Sequence, residues 1–486
     1  MKANFFWKFN LKLIPILFCY FFFCQLIYAI DAEMPTSLKL PSLIGNHMVI
    51  QQQSTFTFWG WAKVGDTVLV NVGWDKKTKK CIADKSGEWK LNFSTPKAGG
   101  GPFKVVISAD KKIVLNDVLI GEVWVCSGQS NMQMTFNGYM SQPVIGSNDY
   151  IAHGKNKNIR LFTLKQQYGT RPAQDCEGNW EVSNTSNVAE FSAIAYVFGD
   201  YLEDVLDVPV GLILSARGDT PAEAWVDEAT LKSEFKEIDL SVLKTNQLTY
   251  QSPTVLYNHM IHPILNYTIR GVIWSQGTNN RKNPEQYSKL FPALIRNWRE
   301  KWKLGDFPFY FVQNAPYSFR HDANTQTAFL REAQLKTMLT TPKTGMAVAM
   351  DVGDSLYNHP PRKIEIGKRL AYWALAKTYN LRGISYSGPV LKDFKVIKNK
   401  MELEFNFAEN GLSSFGKKLK NFVVAGENRH FYPANAVIKD DKLEVWSEDV
   451  KIPIAVRYCW DNYAEGCLFN NAGLPASSFR TDNWEE

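Results

Sequence analysis

The sequence predicts an α/β protein: a mostly parallel sheet flanked by helices, with a β-sandwich-like region before it and another after it. Three observations predict this. Between Val118 and Tyr379, short apolar runs alternate with stretches whose apolar residues recur at helical spacing. Before and after that span the period drops to two, with turn residues between the runs. The polar corners of the middle region each follow an apolar run, where an open parallel sheet places its ligands.

Residues 1–32 stand apart. Lys2, Lys8 and Lys12 precede an apolar run from Leu13 to Ile27, with the small residues Ala29 and Ala32 beyond it. This is the pattern of a cleaved secretory signal rather than an anchor. The mature protein is expected to be secreted or periplasmic, with no stable membrane insertion after cleavage. Residues 36–116 read as an N-terminal β domain: Val68, Val70 and Val72 alternate with Thr67, Leu69 and Asn71, and turns fall at Gly65-Asp66 and Lys85-Ser86-Gly87. Residues 117–385 read as the α/β domain. Its strands are expected at Val118–Cys126, Val210–Ser215, Ile269–Gln276, Phe309–Gln313 and Met346–Asp351. Its helices are expected around Phe191 to Val205, from Glu285 to Trp302 and from Pro361 to Tyr379, Pro361 suiting a first helical turn. Residues 386–486 read as a second β domain and tail, where Met401, Leu403, Phe405 and Phe407 alternate with polar residues.

With 45% hydrophobic residues and 15 Trp in 486, the chain has ample material for large cores, which excludes a disordered protein. The net charge of +7 is scattered; its one tight run, Lys76 to Lys80, lies between strand-like stretches and reads as a solvated turn, so no nucleic-acid partner is expected. Five of the seven Cys lie beyond the signal, and Cys459 and Cys467 are close enough in sequence to pair in an oxidising compartment. Cys126 reads as a small buried hydrophobe. The spacings that mark metal sites, Cys-x-x-Cys and His-Glu-x-x-His, do not occur, so no metal ligands are named.

The chemistry is expected where Val118–Cys126 runs into Ser127-Gly128-Gln129-Ser130-Asn131. A strand ending in a small polar corner holds a hydroxyl rigid and exposed, with backbone N–H groups nearby, which a serine nucleophile requires; an ordinary polar turn is the plainer alternative. Ser130 is the candidate nucleophile. Of the seven His, His47 and His430 fall in the flanking β regions, His153 and His321 in polar loops, and His259 and His262 in an apolar stretch suited to structural roles. His359 follows a strand and precedes a helix, the position a general base needs, and either Asp354 or Asp351 is near enough in sequence to orient its ring. Two more polar corners follow strands. One holds Gln276 and Asn280, whose carboxamides suit binding or oxyanion donation; the other holds Gly218, with a backbone N–H to offer.

These blocks together resemble the sialate O-acetylesterase family of the wider SGNH group of hydrolases. Gly121-Glu-Val-Trp-Val-Cys-Ser-Gly-Gln-Ser-Asn-Met-Gln-Met134 looks like its nucleophile block. Thr220-Pro-Ala-Glu-Ala-Trp225, Gly271-Val-Ile-Trp-Ser-Gln-Gly277 and Met346–Asp351 leading to His359-Pro360 look like further blocks, and the likeness spans nearly the whole mature chain. The resemblance implies an SGNH-type α/β esterase. It implies Ser130 as nucleophile, His359 as base, and Ser130 N–H, Gly218 N–H and the Asn280 side chain as oxyanion donors. It further implies hydrolysis of O-acetyl groups on a glycan, sialic acid or an acetylated polysaccharide, without a cofactor. The chain departs from the family pattern at Arg217, Asp219, Thr278 and Tyr357. Asp219 places a carboxylate where it would oppose a developing oxyanion. The Tyr at 357 leaves the third triad member to Asp354, to Asp351 or to none. These departures are what a catalytically impaired glycan-binding relative would show.

Overall fold

A computed structural model describes residues 34–319 and 325–484. The expected signal, residues 1–32, lies outside them, as does His321.

The central strand β2 (Lys112–Gly128) shows why one sequence segment serves two layers; the short β1 (Val49–Gln51) pairs parallel with its middle. From Lys112 to Asp117 exposed and inward residues alternate, and this part pairs antiparallel with Phe103–Ser108 of the N-terminal β region. From Val118 to Gly128 every residue is buried, and the pairing is parallel. Alternation marks a sheet with one wet face; a continuous apolar run marks a sheet covered on both. The strand is therefore longer than the expected Val118–Cys126, and it runs unbroken through the expected boundary at 116/117.

The remaining strands of the main sheet are β3 (Ile159–Thr163), β4 (Trp180–Val182), β5 (Val210–Ala216), β6 (Gly271–Ser275), β7 (Phe309–Val312) and β8 (Thr344–Ala347). Their order is β8-β7-β6-β2-β5-β3-β4. All pair in parallel except β3 with β4. Strands β3 and β4 carry no clear pattern in the sequence, because Arg160 and Glu181 interrupt very short runs; Arg160 is buried against Asp117. From β2 the chain goes out on one side to β3 and β4, returns to lay β5 between β2 and β3, then crosses to build β6, β7 and β8 outward on the other. The crevice between β5 and β6, at the carboxyl end of β2, is thus the topological switch point of the sheet, where open α/β sheets bind ligands.

Five helices matter for the site: α1 (Ser130–Gln133), α2 (Ala193–Leu206), α3 (Pro284–Trp302), α4 (Gln326–Thr340) and α5 (Lys363–Trp373). Helix α5 begins two residues after Pro361, so Pro361 lies in the approach to the helix rather than in its first turn. Gly367 lets α5 press against α2, since a Cβ there would stand 2.7 Å from Val197 Cβ.

The C-terminal region forms separate antiparallel sheets, among them Val390–Ile397, Lys400–Asn406, Lys442–Trp446 and Asn435–Lys439 in one layer. It docks on α4 through Arg331, fully buried, which donates to Ser478 Oγ and to the carbonyls of Cys459 and Asp461. The expected pairing of Cys459 with Cys467 is not formed. Both thiols are free, Cys459 Sγ donating to Glu465 O and Cys467 Sγ to Lys420 O.

Candidate active site

The corner after β2 is set by Gly128, whose φ of +134° disfavours any side chain and whose Cβ would lie 2.2 Å from Ser275 O. Gln129 N–H then donates to Ser275 O, anchoring the corner to β6. Besides the buried Ser275, three serines lie nearby, and bonding and exposure separate them. Ser127 Oγ donates to Ser215 O at 2.5 Å, and Ser215 Oγ to Met260 O at 2.7 Å; both are buried. Ser130, partly exposed at the first position of α1, makes no side-chain hydrogen bond among the described residues. Its N–H also stands where a helix has no intrahelical acceptor.

His359 is brought to the same place from the other end of the domain. Its Nδ1 lies 2.7 Å from Gln142 Oε1. With the carboxamide oxygen accepting, Nδ1 carries the proton and Nε2 is left bare, the tautomer a general base needs. Tyr139 touches both residues: its ring packs edge-on against the imidazole with centroids 4.9 Å apart, and its hydroxyl donates to Ser130 O at 3.0 Å. Asn131 Nδ2 donates to Asn358 O at 3.4 Å, joining the residues beside serine and histidine. No direct Ser130–His359 hydrogen bond is formed among the described residues. Burial, and secondarily the positive charge of Lys363, push the imidazole down to about 4. The ring is therefore unprotonated at neutral pH.

The expected orienting acids are elsewhere. Asp354 Oδ1 accepts from the N–H groups of Leu356 (2.7 Å) and Tyr357 (3.2 Å), closing its own turn. Asp351 is held bidentate by Arg369, both contacts 2.7 Å. A carboxylate with backbone N–H groups two and three residues ahead satisfies itself locally, which no spacing to His359 overrides. The residue in the orienting position is Gln142. It lies in a tight reversal in which Tyr139 and Gln142 exchange both backbone hydrogen bonds. A lone glutamine in the loop Phe136–Tyr150 carries no motif, and nothing in the sequence singles it out. Phe136, in the same segment, is buried on Tyr150 and Tyr196 and packs on the body of the domain.

The oxyanion candidates are close but engaged. A Cβ on Gly218 would stand 3.4 Å from Ser130 Cβ, so Gly218 lies beside the Ser130 side chain, yet its N–H donates to Gln133 Oε1 at 2.7 Å. Asn280, expected to point its carboxamide at an oxyanion, is instead buried with Nδ2 against both oxygens of Glu223, at 3.1 and 2.9 Å. Its Oδ1 accepts from Ala222 N–H and Gln276 Nε2. Gln276 braces this knot through Thr220 O as well, and its own Oε1 is left without a partner. The physical reason is Glu223: burial raises its pKa, and Asn280 supplies the donor that keeps its charged form acceptable. Asp219, the unexpected carboxylate, is turned outward and held by Asn279 Nδ2 (2.8 Å) and Gln251 Nε2 (2.9 Å). Arg217 bonds Gln166 and lies 4.3 Å over the Tyr250 ring.

The fold and site define an α/β hydrolase-type protein with a partly exposed serine and a neutral histidine at the sheet's switch point. Comparison with known proteins gives the family. A family profile described as "Carbohydrate esterase, sialic acid-specific acetylesterase" matches residues 120–376. The sialate O-acetylesterase of Homo sapiens is 30% identical over 93% of this chain and 94% of its own, and that of Rattus norvegicus 29% identical over 91% and 94%. A crystal structure of a carbohydrate acetylesterase from Xanthomonas citri superposes with a TM-score of 0.84 at 32% identity, covering 92% of this chain and all of that one. The chain belongs to the sialic acid-specific acetylesterase family of carbohydrate esterases. It is a carboxylic ester hydrolase.

Proposed function

We propose that this protein is an exported carbohydrate O-acetylesterase that removes acetyl groups from sugars through an acetyl-enzyme on Ser130. The observation that carries the mechanism is the pairing of an unbonded serine hydroxyl with an imidazole whose Nδ1–H is fixed on Gln142. In the reaction, Ser130 Oγ attacks the acetyl carbonyl carbon and its proton passes to His359 Nε2. The carbonyl oxygen becomes the oxyanion, received by Ser130 N–H and by Gly218 N–H once the Gln133 side chain swings away. Collapse breaks the bond to the sugar oxygen, which takes the proton from His359. Water then attacks acetyl-Ser130, losing its proton to His359, and acetate leaves with Ser130 reprotonated.

Gln142 fixes the ring's tautomer without adding charge. In serine proteases, exchanging the orienting Asp for an amide costs about 10⁴ in kcat because the tautomer becomes wrong. Here the amide oxygen faces Nδ1, so the correct tautomer survives, while the imidazolium gains less stabilisation than a carboxylate would give. The substrate is an O-acetylated glycan, sialic acid or an acetylated polysaccharide; the relatives' names, sialate O-acetylesterase and carbohydrate acetylesterase, support the class. Export rests on the pattern of residues 1–32; among the described residues no helix is long and apolar enough to cross a membrane.

The test is release of acetate from O-acetylated sialic acid and from acetylated xylan, together with p-nitrophenyl acetate turnover, by the protein and by Ser130→Ala. Equal rates for the two proteins would sink the assignment. A second reading, a glycan-binding relative with impaired catalysis, is favoured by the engagement of Gly218 N–H with Gln133 and of Asn280 with Glu223. Calorimetry showing glycan binding with no acetate release would select it.

A further inference from the structure

Four residues after the base stands a lysine that the reaction above does not use. Lys363 opens α5 and is fully buried. It occupies the inner stripe of the helix with Ile366, Gly367, Leu370 and Ala371. An ammonium taken out of water loses several kcal/mol of hydration unless it is paired. Among the described residues no carboxylate pairs with Lys363; its hydrogen bond is to the neutral Asn131 Oδ1. The arrangement differs from that of Arg369 in the same helix, which has the bidentate partner Asp351. Asn131 follows the nucleophile, and its Nδ2 reaches Asn358 O, next to the base. One chain of contacts thus runs from the start of α5, through the neighbour of Ser130, to the neighbour of His359.

We propose that Lys363 is a positioning residue for the esterase reaction, its buried amine tying the Ser130–Asn131 corner to the Asn358–His359 segment. The inference rests on the reading of Ser130 and His359 as nucleophile and base. The groups facing the imidazole are few. Tyr139 lies on its ring, its phenol pushed up to about 12 by burial and so neutral. Gln142 is uncharged, Asp354 is turned to its own backbone, Asp351 is tied to Arg369, and Arg362 pairs with Glu365. Lys363 is therefore the charge the ring senses. Burial lowers its own pKa to about 7, so it carries its charge over the acid range in which His359 titrates and loses it as the pH rises through neutrality.

Lys363→Met, close in volume, removes the charge and the tie. The expected result is a fall in kcat of about 10- to 100-fold, the scale of a misplacement of about 1 Å. The acid limb of kcat/KM should move up by about 0.5 to 1 pH unit as the imidazole loses a repelling neighbour. The melting temperature should hold or rise, because a desolvated charge has been replaced by an apolar chain. Lys363→Gln, which keeps an N–H donor but not the charge, serves where the Met variant does not fold, and its acid limb should shift likewise. A variant with unchanged kcat, or one whose kcat falls while the acid limb stays in place, overturns the inference and leaves the esterase reading intact. Equal turnover of the parent and Ser130→Ala overturns both.

Discussion

Glu122 and Lys363 are both fully buried ionisable side chains, and they are treated oppositely. Glu122, at the amino-terminal side of the parallel part of β2, receives Arg270 Nε and Nη2 (2.7 and 3.1 Å), Gln52 Nε2 (2.7 Å), Gln51 Nε2 (3.2 Å) and Tyr379 OH (2.9 Å). These partners come from β1 and the residue after it, from the approach to β6 and from the end of the α/β region, so the cluster joins segments far apart in the chain. At the carboxyl end of the same strand the polar groups are left wanting. Among the described residues Ser130 Oγ is unbonded, Lys363 has a neutral partner, and Gln276 Oε1 has none. Saturated polar networks rigidify a fold. Groups held short of satisfaction keep their capacity for a substrate or a moving proton. The contrast predicts that damage at one end costs stability and damage at the other costs turnover.

The largest effect should come from Ser130→Ala. Loss of the nucleophile is expected to lower kcat by about 10⁴- to 10⁶-fold, with the thermal midpoint unchanged, since the hydroxyl makes no internal hydrogen bond; steady-state kinetics and calorimetry on one sample check both. Next is Arg270→Met at the other end. It leaves Glu122 buried without its cation and should cost about 3–5 kcal/mol in urea unfolding, while turnover per folded molecule stays near that of the parent. A large kcat loss in that folded variant would dissolve the division between the two ends.

Gln142→Ala should be milder, lowering kcat about 10- to 100-fold by freeing the His359 ring to rotate, with KM little changed. Gln142→Glu sharpens the point. A carboxylate on Nδ1 favours the imidazolium, so the acid limb of kcat/KM should rise, and an unmoved limb would show that the ring does not sense position 142. The smallest effect concerns pH in the parent protein. His359 is held at about 4, below its ordinary 6.5, so it stays a free base until the pH falls through that lower value. Activity should therefore persist well below pH 6, with the acid limb of kcat/KM close to pH 4; a limb at 6 to 7 would place the ring in a wetter, less charged setting than the one described.

Much of this was legible in the residues. The strand-end corners, with Ser130 and His359 among them, were placed by apolar runs that give way to small polar residues, a pattern an ordinary turn shares until the family resemblance is added. Lys363 also left a trace, a charge on the apolar stripe of a predicted helix. The rest depended on local competition. Asp354 lies near His359 in sequence but finds two backbone N–H groups first. Asn280 has the right chemistry for an oxyanion and is claimed by Glu223, which an apolar surround makes costly to leave alone.

The order of hydrophobic periods along the chain determined a parallel sheet between β-rich flanks, and hence where a reactive hydroxyl would emerge. Tertiary structure alone decided what stands around it. Gln142 meets His359 across 217 residues, through a turn whose residue types specify no partner. Sheet topology is written in patterns that repeat over many residues and tolerate local exceptions. A hydrogen bond between two side chains depends on the closure of the whole chain to within a few tenths of an ångström, and no periodicity encodes that.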